Sequence, residues 1–184
     1  MSSSESIDIL NRVLAILERS FTQYMRYAKP YVPPGREGFS QTLEEIVAGQ
    51  NALALRVSHT VSEAGGLPDT GEFPINYTDS HDLSIDYLIQ EAIDGQKQDI
   101  ADFSQCVEAL RLAPSSQSLA SEALGLARGN LEKLEAIAAQ PQNAMKTGDM
   151  PAFANDVPVK NQSTGEPHRQ EERKLAAGKP DSPG

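Results

Sequence analysis

Cysteine occurs once in these 184 residues, at Cys106. No internal disulfide can form, which fits a reducing interior. No run of about 18 apolar residues exists, so no transmembrane helix is expected. The opening Met1-Ser2-Ser3-Ser4-Glu5 has neither a basic nor an apolar stretch, so no secretory signal is expected and a cytoplasmic location is. Basic residues are scarce: residues 1–140 hold 10 Lys and Arg against 20 Asp and Glu, while 141–184 hold 6 of each. The net charge of −10 therefore belongs to the first part. Such an acidic body repels phosphate and anionic lipid, so neither nucleic acid nor a membrane is expected as a partner. A Gly-rich phosphate loop, a Cys-x-x-Cys pair, a nucleophile elbow and a repeat of solenoid period are also missing.

What is present is helical periodicity. Ile7, Leu10, Leu14, Leu17, Phe21, Tyr24 and Ala28 alternate in steps of three and four, a narrow seam that other helices must cover. Ser2 with Glu5, or Ser4, caps this first helix, and Lys29-Pro30 stops it, giving a helix over 5–28. The second helix starts after Gly35 and carries Phe39, Leu43, Ile46, Gln50, Leu53, Val57, Thr60 and Ala64 along its seam; Gly65-Gly66 and Pro68 end it. The aperiodic stretch from Leu67 to Ser80 is longer than a tight helix hairpin needs, so it reads as a crossover. A third helix runs from Ser80 or Asp82 to Leu110, with Gly95 and Gln96 interrupting its middle. After the turn Ala113-Pro114-Ser115-Ser116, with Ser116 or Ser118 as cap, a fourth helix runs to about Ala139, with the seam Ala120, Ala123, Ala127, Asn130, Leu134 and Ile137. The expected fold is all-α: a four-helix bundle over 1–140 made of two antiparallel hairpins.

Six of the 12 prolines lie in residues 141–184, which read as a flexible, disordered tail. Within it a short helix is expected over 168–177, a place where an unknown protein partner would dock.

The polar residues at mid-helix are the candidate site. Gln50 and Asn130 occupy seam positions, Glu18 and Glu91 border the seams of their helices, and Tyr24 can reach the same layer with its hydroxyl. Buried amides and carboxylates must bond to each other or to water. One reading is a hydrogen-bonded layer that fixes helix register; the other is a carboxylate metal centre held by Glu18 and Glu91. The first is preferred because the usual ligands are missing. His59, followed by Thr60-Val61-Ser62-Glu63, lacks the context of a phosphotransfer histidine, and Cys106 reads as a small core residue.

Several stretches resemble the ferritin-like superfamily, bacterioferritins most of all. They are Leu10-Asn11-Arg12-Val13-Leu14 through Glu18 and Tyr24, and Ser62-Glu63-Ala64-Gly65-Gly66-Leu67-Pro68. Further on come Glu91-Ala92-Ile93-Asp94-Gly95-Gln96-Lys97 and Gly129-Asn130-Leu131-Glu132-Lys133-Leu134-Glu135. The resemblance implies a di-iron centre with one Glu from each of two helices and Glu-x-x-His from each of the other two. Glu18 and Glu91 match the single Glu positions, although aligning on Asp94-Gly95 puts Ala92 at the latter. Gln50 and Leu53, and Ala127 and Asn130, stand where the two Glu-x-x-His motifs would be. No Glu stands three residues before any of the three histidines, and Asn51 stands where a haem-ligating Met would be. The resemblance also implies a homodimer, with higher assembly open. The resulting expectation is a degenerate site without a cofactor, in a binding or assembly protein that is not an enzyme. The alternative is a divergent iron-binding or ferroxidase-type bundle using Glu18 and Glu91.

Overall fold

The structure, a computed structural model, describes residues 2–75, 77 and 83–140. The tail with its expected helix at 168–177, and the expected caps Ser80 and Asp82, lie outside the described residues. Five helices are described: α1 (Ser3–Arg19), α2 (Phe21–Ala28), α3 (Glu37–Glu63), α4 (Ile85–Ala109) and α5 (Pro114–Ala138). Together α1 and α2 make one rod of the bundle, beside α3 and α4; α5 fills the remaining corner, and α3 and α4 lie across the bundle from each other. A connection between diagonal helices must cross one end or run along a side, so the link from α3 to α4 is long. No helix among the described residues is long and apolar enough to cross a membrane.

Local chemistry sets the ends of these helices. Glu5 N donates to Ser2 Oγ at 3.2 Å and Ser2 N donates to Glu5 Oε2 at 2.7 Å, the reciprocal capping box expected for α1. At the far end of α3, Gly65 takes φ +81°. Gly66 N then bonds Val61 O at 2.9 Å and Gly65 N bonds Ser62 O at 3.0 Å, which is a Schellman ending. For α4, Ser84 is the cap, its hydroxyl accepting from Tyr87 N at 3.4 Å.

The third helix thus begins at Ile85 rather than at Ser80 or Asp82, and two further boundaries differ from the sequence expectation. The fourth helix begins at Pro114 rather than after Ser116, because proline at the first helical position gives up an N–H that has no partner there anyway. The first rod is not continuous over 5–28. Ser20 adopts an extended conformation, ending α1 and capping α2 with its side chain. No proline or glycine forces this break. The local signal is Ser20-Phe21-Thr22-Gln23, a second Ser-x-x-Gln cap inside the helical run.

The crossover is fastened along the outside of α1. Asn11 Nδ2 donates to Leu67 O at 3.0 Å and Asn11 Oδ1 accepts from Asp69 N at 3.1 Å. Arg19 reaches Gly71 O and Thr70 Oγ1, both at 2.9 Å, and lies over the Phe73 ring. At the opposite corner Arg36 is buried, only 7% exposed. Its guanidinium donates to Ile137 O at 3.0 Å and Gln140 O at 3.1 Å, and pairs with Asp86. One side chain thus closes the end of α5 and ties it to the starts of α3 and α4.

Apolar burial falls into two separate clusters. One gathers Leu10, Leu14, Leu17, Val57, Phe103 and Ala123 around α1; the other gathers Phe21, Met25, Phe39, Ile46, Ile89 and Leu134 around α2. Every rod passes from one cluster to the other, and the residues at each passage are polar.

Candidate functional site

The passage on the first rod is the break itself, which turns two hydroxyls inward. Ser20 and Thr22 lie 2.9 Å apart; Thr22 Oγ1 donates to Gln50 Oε1 at 3.1 Å, and Gln50 Nε2 donates to Ser20 Oγ at 3.0 Å. A hydroxyl has one proton to give, and that of Thr22 goes to Gln50, so Ser20 donates to Thr22 and the ring closes in one direction. All three side chains are buried at 2–3% exposure. Beside the ring, Gln23 Nε2 donates to Asn51 Oδ1 at 2.7 Å.

On α4 the buried polar residue at the passage is Gln96, whose Nε2 donates to Asp99 Oδ2 at 3.1 Å. On α5 it is Asn130, 2% exposed. Gln50, Gln96 and Asn130, with the Ser20 hydroxyl, make a polar belt across the bundle between its two apolar halves.

Asp99 stands at the edge of this belt. Burial pushes its carboxyl up to about 7, with the nearby charge of Asp102 acting in the same direction. Asp102 is itself paired with Arg12 at 2.8 Å. Tyr77, from the crossover, is pushed up to about 12 by burial and then by Asp99. Tyr77 packs edge-on against Phe21 at 5.1 Å and tilted against Tyr24 at 5.5 Å.

Of the residues singled out in the sequence, Gln50 and Asn130 lie in the belt. Glu18 and Glu91 keep part of their surface in solvent. Tyr87 bonds Glu91 one turn along α4, which raises the tyrosine above its ordinary value. Glu91 is five residues from Gln96, about 7–8 Å along the axis, level with the cluster around α2. Tyr24 packs among Phe21, Phe73 and Tyr77 under the crossover. His59 is exposed and pairs with Glu63 at 3.3 Å. Cys106 is buried in the core, and that burial raises its thiol.

Sequence reading missed Ser20 and Gln96 as belt members, and Thr22 and Gln23 beside them. Gln96 was detectable: Ile93, Gln96, Ile100 and Phe103 step by three, four and three, so the apparent interruption is a polar seam position.

The donor set decides what this belt can hold. A di-iron centre needs anionic carboxylates and imidazoles facing one point. Here the buried mid-bundle groups are neutral amides and hydroxyls, and those of Ser20, Thr22 and Gln50 are already bonded to one another. Among the described residues no three His, Cys, Asp or Glu side chains come close enough to hold a metal ion. Haem fares no better at Asn51, a hard amide ligand whose oxygen is taken up by Gln23. Neither group fits these residues.

The sequence matches no protein-family model and no curated protein sequence. In three dimensions the chain is similar to the bacterioferritin of Desulfovibrio desulfuricans, a protein with a di-iron site. The TM-score is 0.62 at 16% identity, over 74% of this chain and 79% of that one. It is similar as well to Dps from Thermosynechococcus elongatus, at TM-score 0.62 and 17% identity, over 77% of this chain and 95% of that one. The bundle, its crossover and these likenesses together establish the ferritin-like fold.

Proposed function

We propose that this ferritin-like bundle works without a di-iron centre of the bacterioferritin kind, as a binding or assembly protein in the cytoplasm. Its mid-height belt then serves the fold. The observation that carries this reading is the closed ring of Ser20, Thr22 and Gln50, with separations of 2.9, 3.1 and 3.0 Å. Inserting a cation there means breaking bonds that neutral groups already satisfy, with no anionic ligand gained in exchange. The assembly unit we infer is a homodimer. That inference rests on the resemblance of the sequence to bacterioferritins.

A second reading is iron binding or oxidation by Glu18 and Glu91. It is favoured by one observation, that both carboxylates are half-buried on the adjoining helices α1 and α4.

Metal analysis separates the two. Purified protein challenged with ferrous iron is expected to retain no stoichiometric metal, with an unchanged unfolding midpoint. Stoichiometric iron that disappears in Glu18→Ala would establish the second reading and end the first.

A further inference from the structure

Two atoms in the belt have no hydrogen-bond partner although they are fully enclosed: Asn130 Nδ2, a donor, and Gln96 Oε1, an acceptor. Buried amide groups are rarely left unmet, and here the two orphans are complementary. Their helices form the α4–α5 hairpin, whose register is visible near its tip, where Gln117 Nε2 donates to Val107 O at 3.2 Å. Carried along both helices, that pairing sets Gln96 level with Arg128. Asn130 is two residues further on, an axial offset of about 3 Å. Both side chains are 2% exposed and lie at the boundary of the two apolar clusters. The Gln96 amide cannot turn freely, because its nitrogen is held by Asp99 Oδ2 at 3.1 Å, so its oxygen faces away from Asp99.

We propose that the belt holds an internal water, which accepts a hydrogen bond from Asn130 Nδ2 and donates one to Gln96 Oε1. Water carries a donor and an acceptor together, and polar sites with two or more partners retain it where apolar cavities stay dry. A cation would meet one free oxygen and an anion one free N–H group, so a neutral ligand suits the pair best. The inference rests on the belt being a sealed polar layer, as proposed above. Metal analysis tests that layer's role, and the measurement below tests the water by itself.

NOESY and ROESY spectra of the full-length, 15N-labelled protein provide the test. Water cross-peaks to the Asn130 side-chain amide protons are expected, with NOE and ROE of opposite sign, the mark of a long-lived water. Gln96→Leu is expected to abolish them while the backbone spectrum keeps its dispersion. Wild-type protein with no such cross-peaks overturns the proposal, as does a cross-peak unchanged in Gln96→Leu. If the variant does not fold, a high-resolution crystal structure of the wild type decides. Density bonded to both amides supports the water, and a dry contact between them refutes it.

Discussion

The two apolar halves of this bundle are held together by different means. The half around α1 is built from Leu, Val and Ala, with Phe103 as its one buried aromatic. Its rods are uninterrupted, and its ends are closed by a capping box, a Schellman turn and a short α4–α5 link. The half around α2 contains Phe21, Met25 and Phe39 and is covered by Tyr24 and Tyr77. It depends on a buried arginine, on the crossover and on an eight-residue helix that would not persist alone. Regular periodicity suffices where helices are long and straight. Where a rod breaks, polar groups from distant parts of the chain take over the work of alignment.

The sharpest way to break that comparison is Arg36→Ala. Removing the guanidinium leaves Asp86 without that partner and strips the Ile137 and Gln140 carbonyls of a charged donor. A loss of about 3 kcal/mol is expected in urea unfolding. Hydrogen exchange should accelerate in α2 and the ends of α4 and α5 before it does in α1. Uniform acceleration would mean that the halves unfold as one.

Gln50→Leu tests the boundary itself. The leucine matches the seam but removes the acceptor of the Thr22 hydroxyl and the donor to Ser20, at a cost of about 1–3 kcal/mol. Adding Ser20→Ala and Thr22→Val to the same chain is expected to recover part of that loss, since both hydroxyls are then gone while the Gln23 N–H loses its cap. Strict additivity of the three changes would show that the ring is not a unit.

Asp99 gives the smallest effect and a defined sign. Its folded pKa of about 7 lies above its ordinary value of 3.8, so the folded state holds the proton more tightly than the unfolded one. Below pH 3.8 the group adds no pH dependence. Stability then falls as pH rises through the window from 3.8 to about 7, and levels off above it. Asp99→Asn keeps an oxygen for Gln96 and is expected to gain about 1–2 kcal/mol at pH 8. Its stability should also slope less over the same window. An unchanged slope would place the titration elsewhere.

Much of the fold was legible in the residue order because burial repeats at helical spacing. The seams of Leu10, Leu14 and Leu17, of Leu53 and Val57, and of Ala120, Ala123 and Ala127 all face the core. The length of the Leu67–Ser80 stretch already pointed to a crossover. Gln50 and Asn130 stood out as polar residues on apolar stripes, and Gln96 obeys the same rule. Arg36 carried no such signal: it stands in a Pro- and Gly-rich turn, and its partners are 50 to 104 positions away. Asn11 and Arg19 likewise read as solvent-facing until the crossover lies against them.

Local order thus determined by itself where the helices run, which stripe of each turns inward and where polar groups interrupt those stripes. Periodicity and capping act within a few residues and need no knowledge of the rest of the chain. Which polar groups meet was decided only in three dimensions. Ser20 reaches Gln50 thirty residues on because α1 stops where it does and α3 presents that turn to it. A hydrogen bond needs its two atoms within about 3.5 Å, and helical spacing alone cannot set the rotation and height of one rod against another.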